Sequence, residues 1–314
     1  MLRLKTLAVA AVVAAAVALP ARAETFVNIL TGGQAGVYYP LGVALEKIFA
    51  AKVPDARPSV QATKASVENL NLLQAGRGEI AFTLGDSLRD AYAGNAEVGF
   101  ARPLDKLRTI AAIYPNFIQI VASKESGITT LADLKGKRLS VGAPASGTEL
   151  NARAVLGAAG LSYDDLGKVE YLPFAESVEL MKNRQIDATL QSAGLGVASL
   201  RDLANSVAIT VVEIPADAVN SIGAPYAAGT IPAGTYQGQD ADIATATVIN
   251  YLVTHSDVPE ETVYAMTKSI FESLPDLAAA HAAANDIKLD ADALVSPAPL
   301  HPGAERYFKE QGLM

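Results

Sequence analysis

A short apolar segment, a glycine-rich loop and a helical pattern follow one another repeatedly along this chain. Residues 26–30 (FVNIL) read as a buried strand, and the loop TGGQAGVYYP follows. From Pro40 onward, Leu41, Leu45, Ile48 and Phe49 recur at helical spacing. The order returns with a strand over 59–63 and a helix over 67–74, then a strand over 79–84 stopped by Gly85. Further strands are predicted at 108–114, 118–122, 138–141, 169–172 and 207–214, with helices at 149–159, 176–183 and 196–203. Alternation of this kind builds mainly parallel sheets covered by helices, an α/β fold. The last third departs from it. Residues 241–253 and 259–273 read as two long helices or as a strand and a helix, and 275–284 continues in helix formers. Pro259 suits the start of the second of these. A length of 314 residues suggests about two domains.

Residues 1–23 read as an address rather than as fold. Arg3 and Lys5 make a basic start, residues 7–19 are apolar without a break, and Pro20 precedes the small-residue pattern Ala21-Arg22-Ala23. This is the pattern of a cleaved secretory signal peptide, and the apolar run falls short of the roughly 20 residues a membrane span needs. Cleavage would remove three cations and no anion, taking the net charge from −8 to −11. An acidic body argues against nucleic acid as a partner. With no cysteine there are no disulfides, no thiolate catalysis and no thiolate metal sites. Only three histidines occur, at 255, 281 and 301, and none is paired at metal-ligand spacing. No metal and no cofactor is expected. The expected location is the bacterial periplasm.

Two glycine-rich loops stand between a strand and a helix. In residues 31–40, Gly33 and its neighbours let backbone N–H groups approach a ligand at a helix N-terminus. The loop is neither a Walker loop nor a dinucleotide fingerprint. In residues 141–148, Ser146 and Thr148 offer hydroxyls, and Gly147 and Thr148 offer amides, to the helix or to an anion. Two such cradles suit a carboxylate gripped from both sides. Either Tyr38 or Tyr39 is the candidate stacking residue. Ser66 is a candidate N-cap, with Asn69 three residues on and able to offer its amide to a ligand. Asp86 reads as an N-cap or as an acceptor for a ligand ammonium. A few hydrogen bonds to a charged group, about 1.5–3 kcal/mol each, suffice for micromolar affinity. Neither a nucleophile elbow nor a zinc-protease motif is present, so no catalytic residue is assigned.

The segments TGGQAGVYYPLG (31–42), ASVENLNLLQAG (65–76), LADLKGKRLSVGAPASGTELNA (131–152), IPAGTYQGQD (231–240) and PLHPGAERYFKEQG (299–312) resemble the TAXI family. Its members are the solute-binding receptors of one branch of TRAP transporters. The resemblance implies a two-lobed type II periplasmic-binding-protein fold with a ligand cleft. It implies delivery of the ligand to a TRAP membrane permease with fused small and large subunits, driven by an ion gradient. It implies a small carboxylate ligand: glutamate, 2-oxoglutarate or a similar dicarboxylate. By position, it places ligand contacts at Gly33, Tyr39, Ser66, Asn69, Ser146, Gly147 and Thr148. The chain departs from the family pattern at Leu84, where a Gln is common, and over residues 188–194, which bring Gln191 and Ser192 to the site.

The expected division is a first lobe of residues 24–115 and 218–314 and a second of 116–217, with hinge crossings near 114–117 and 213–220. A ligand that satisfies a cradle on each lobe would hold the cleft shut. Two other readings share the cleft: a sensor presenting its closed form to a membrane kinase, and a secreted enzyme on the same fold.

Overall fold

The structure, a computed structural model, describes residues 24–314; the signal peptide expected over residues 1–23 lies outside them. Strand β1 (Thr25–Leu30) leads into α1 (Tyr38–Lys52), β2 (Ala56–Gln61) into α2 (Ser66–Gln74), and β3 (Ile80–Leu84) into α3 (Gly85–Ala93). A long strand β4 (Leu107–Ser123) follows. Then β5 (Arg138–Ser140) leads into α4 (Gly147–Ala158), β6 (Lys168–Glu170) into α5 (Phe174–Lys182), and β7 (Ala188–Ala193) into α6 (Ala198–Ser206). Next come β8 (Ile209–Val212), α7 (Ala216–Ile222), β9 (Ala227–Ile231) and a second long strand, β10 (Ile243–His255). Helices α8 (Glu260–Phe271), α9 (Leu274–Ala280) and α10 (Pro302–Glu310) close the chain.

The ten strands of the described residues join one sheet, whose main path runs β2-β1-β3-β10-β4-β7-β5-β6, with β8 on β4 and β9 on β10. Pairing is parallel among β1, β2 and β3 and among β5, β6 and β7, as the alternation predicts. Around β4 and β10 it is antiparallel, so the sheet is mixed rather than mainly parallel. β4 is one strand where two were expected. Pro115 interrupts its sequence pattern, but it pairs opposite Ile249, where the register shifts between Ile249 and Tyr251. A bulge is where a strand tolerates a proline. β10 is the strand alternative for its segment, because Thr, Val, Ile and Tyr crowd residues 245–254 and favour extended backbone.

Side chains alternate across the sheet to build cores on both faces. On one face a continuous cluster includes Leu45 and Phe49 of α1, Val121 of β4, Leu200 of α6 and Val263 of α8. The opposite face carries two separate clusters. Leu70, Leu88 and Phe100 belong to the first, around α2 and α3. Leu139, Val155, Leu190 and Val219 belong to the second, around α4 and α7. These two cores define two lobes, with β4 and β10 running through both. One passage of the chain between the cores runs along β4. The second does not fall near 213–220. Val219 and Ala246 sit in the second core, and β9 pairs residues 243–247 of β10. The chain therefore returns along β10, because β4 can pair there with a strand that spans both lobes.

Candidate functional site

Parallel strands of both lobes point their carboxyl ends at one another, and loops at such ends form the ligand crevices of open α/β sheets. A cavity of about 330 Å³ lies there, near the small end of the usual range for small-molecule sites. Residues 32–37 after β1, 63–66 after β2 and Leu84 at the end of β3 border it from the first lobe. Residues 143 and 146–148 after β5, 173–176 after β6, and Ser192 and Ala193 of β7 border it from the second. Asn116 reaches it from the crossing strand β4.

The loops bring four helix N-termini to the cavity: α1 and α2 from one lobe, α4 and α5 from the other. Each carries roughly half a positive charge on its first-turn backbone N–H groups. No side chain caps α1, α2 or α5. Only α4 is capped, by the Ser146 hydroxyl accepting from Glu149 N at 3.1 Å. The charged residues of the lining are Lys64 and Glu176, both exposed. No arginine among the described residues borders it. Positive potential therefore comes mainly from backbone, which suits an anionic group.

Seven of the candidate residues border the cavity: Gly33, Tyr38, Ser66, Ser146, Gly147, Thr148 and Ser192. Four do not. Tyr39 turns away from it, half-buried. Asn69 is wholly buried beneath the first lobe's loops. Its Nδ2 donates to Thr31 O at 2.7 Å and Phe82 O at 2.8 Å, while Thr63 donates to its Oδ1. Gln191 faces away from Ser192, as alternation along β7 requires, and accepts from Ser199 Oγ at 2.6 Å. Asp86 is no cap, because Leu84 holds that position on α3. Its carboxylate accepts from Tyr226 OH and Asn151 Nδ2, both at 2.6 Å, and not from the cavity. Burial raises the Asp86 carboxyl above its ordinary value, against the bonds from Tyr226 and Ser87.

Two local readings also change. Ser66 is the first helical residue rather than the N-cap; Ala65 holds that place, with φ 73°. Tyr38 lies with its ring stacked on Phe82 at 5.0 Å and its hydroxyl donating to Asn250 Oδ1. Burial pushes its phenol well above the ordinary range. The lobes also meet beside the cavity, where Glu68 N donates to Ala145 O at 3.1 Å. Ala65 and Ala145, with φ 73° and 60°, both adopt the left-handed region there without being glycine.

Sequence reasoning missed Asn116 and Phe174. Asn116 is the polar member of an apolar strand, and Asn250 Nδ2 donates to its Oδ1 at 3.0 Å, leaving its own amide donors. A buried Asn beside Pro115 at a lobe crossing was the available signal. Phe174 begins α5 after Pro173, with Glu176 in the first turn. That is a helix-start pattern directly after a strand, like the two loops that were singled out.

Residues 29–312 match the model of the NMT1-like family. Among solved structures, periplasmic binding protein BugD is similar at 11% identity and TM-score 0.59, over 93% of this chain and 95% of that one. An L-cystine ABC transporter protein from Listeria monocytogenes is similar at 15% identity and TM-score 0.52, over 84% and 98%. The alkanesulfonate-binding protein SsuA from Xanthomonas axonopodis pv. citri, bound to MOPS, is similar at 17% identity and TM-score 0.50, over 92% and 85%. The shared architecture is the two-lobed periplasmic-binding-protein fold.

Proposed function

The chain belongs to the NMT1-like family, and from that premise we propose that it is a periplasmic solute-binding receptor that captures a small carboxylate between its lobes. The convergence of four helix N-termini from both lobes on one cavity carries this reading. Neither lobe alone surrounds an anion; the two together do. The first bet among ligands is glutamate, 2-oxoglutarate or a related dicarboxylate. Gly33, Ser66, Ser146, Gly147, Thr148 and Ser192, with Asn116, would supply amides and hydroxyls. Hydrogen bonds to a charged group at about 1.5–3 kcal/mol each, offset by the association cost, are enough for micromolar binding.

Delivery goes to a TAXI-type TRAP permease, on the strength of the motifs in residues 31–42 and 131–152. Solved proteins of this fold include an alkanesulfonate-binding protein and an L-cystine transporter protein, so the ligand screen includes sulfonates and amino acids. A thermal-shift screen of carboxylates, amino acids and sulfonates on residues 24–314 tests the receptor. A ligand at 100 times its Kd adds about 2.7 kcal/mol of stability by mass action. A flat response to every carboxylate rejects the carboxylate. Uptake into ATP-depleted vesicles that requires both this protein and a TRAP permease supports the delivery step, and a requirement for ATP rejects it.

A further inference from the structure

Behind the cavity wall stands a line of hydrogen bonds that crosses from one lobe to the other. Ser192, on β7, borders the cavity and donates its hydroxyl proton to Asn151 Oδ1 at 2.5 Å. Asn151 lies on α4 and is wholly buried. Its Nδ2 donates to Asp86 Oδ2 at 2.6 Å and to Tyr226 OH at 2.9 Å. Tyr226 donates in turn to the same carboxylate oxygen at 2.6 Å. The second oxygen of Asp86 accepts from Ser87 N at 2.6 Å. Asp86 sits on α3 of the first lobe; Asn151, Ser192 and Tyr226 belong to the second. Arg89, one turn further along α3, donates to Ala224 O at 2.7 Å and seats the helix on the same region.

The direction of these bonds follows from what each group is able to do. Asp86 is placed as an acceptor on both oxygens. That turns the Asn151 amide with its nitrogen toward Asp86 and its oxygen toward Ser192. Ser192 has one proton and gives it to Asn151. What remains for the cavity is its lone pairs. Ser192 therefore presents an acceptor to a cavity around which four helix N-termini donate.

We propose that Asp86, acting through Asn151, is a positioning residue that fixes Ser192 as an acceptor, so that the closed cleft selects anions bearing an additional N–H or O–H donor over matched anions without one. Amino and hydroxy acids fit; oxo acids and plain dicarboxylates lack the donor. The selection rests on the reading of the cavity as an anion site. It also operates only with the lobes together, because Asp86 and Asn151 meet across them.

The test uses matched pairs on the full mature chain by calorimetry: L-glutamate against 2-oxoglutarate and glutarate, and an aminoalkanesulfonate against the plain alkanesulfonate. The native protein should prefer the donor-bearing member by about tenfold, the loss that accompanies one well-made hydrogen bond. In Asp86→Asn the new amide is able to donate to Asn151, turn it around and free Ser192 to donate. The preference should then shrink to about threefold or less, while affinity for the donor-free member holds or rises. Ser192→Ala takes the donor from Asn151 Oδ1, so it should lower the melting temperature modestly, and it should erase the preference; it serves if Asp86→Asn does not fold. A purely structural role for Asp86 would weaken both members of each pair alike, and that result overturns the proposal. So does a native protein that favours the donor-free acid. Binding of sulfonates but no carboxylate would reject the carboxylate ligand and leave the sulfonate pair to decide the role of Asp86. Binding of no anion at all overturns both.

Discussion

Gly147, the first residue of α4, packs against Ser66, the first residue of α2: a methyl group on Gly147 would stand 2.7 Å from Ser66 Oγ and 2.7 Å from Leu84 Cδ1. These residues belong to opposite lobes, so the contact exists only with the cleft shut. Gly147→Ala should therefore act on closure. Overpacking of this kind costs about 1–3 kcal/mol, which corresponds to a loss of affinity of about 5- to 150-fold. In the open form the same change should be neutral or helpful, because Ala is the better helix former by about 1 kcal/mol. Calorimetry should show weakened binding, and melting of the unliganded protein should show no loss. Native affinity together with a lowered melting temperature would refute the placement of Gly147 at the closing edge.

Asn69→Ala should cost stability rather than affinity. The Asn69 side chain holds Thr31 O, Phe82 O and Thr63 together beneath the first cradle, and it does not border the cavity. Removing it leaves buried polar groups short of partners, at about 1–3 kcal/mol. Urea unfolding should report that loss. Ligand affinity, corrected for the folded fraction, should stay within about threefold. An intact unfolding curve with lost binding would return Asn69 to the ligand.

Lys64→Gln separates side-chain charge from backbone dipoles. Lys64 is the cation of the lining and it is exposed, so water and salt screen it. The helix N-termini are shielded by the lobes around them. The substitution should weaken an anionic ligand by only about two- to threefold, and raising salt should weaken it little more. A loss beyond about thirtyfold in Lys64→Gln would mean that Lys64, and not the helix ends, neutralises the ligand.

Legibility in the sequence followed the physics of each element. Helices α1, α2, α4 and α8 carry clear apolar stripes or Pro starts and were placed to within a few residues. Strand β7 escaped because Ala188–Ala193 is buried on both faces and shows no alternation. Strand β9 (AAGTI) is small and weakly apolar, and gains its identity only by pairing with β10. The two glycine-rich loops were legible as strand-to-helix junctions, and both border the cavity. Asp86 and Gln191 were misplaced for one shared reason: a single sequence gives residue type and position, but the partner that claims a polar side chain comes from a distant element. Asn151 is 65 residues from Asp86, and Ser199 reaches Gln191 from the next helix.

The three histidines set the response to mild acid. His301 caps α10, its Nδ1 accepting from Gly303 N at 3.1 Å while Nε2 faces Val258 O. His281 Nδ1 accepts from Ala283 N, and His255 Nδ1 accepts from Asp257 N. Each ring is therefore held neutral, with an acceptor nitrogen where protonation would place a proton. Burial is the main cause lowering all three below the ordinary histidine value of 6.5, and at His255 the nearby Asp257 opposes it. Below pH 6.5 the unfolded chain takes up protons that the folded chain refuses. Their stabilisation is thus complete above the unfolded value and is lost as pH falls below it. Between pH 7 and 5.5 these three rings should lower the unfolding free energy. His301→Asn keeps a capping side chain without a titrating ring, so it should flatten part of that slope while holding most of the stability at pH 7. Urea denaturation at several pH values measures both effects, and a pH slope that His301→Asn leaves unchanged would show that the His301 ring is not held neutral.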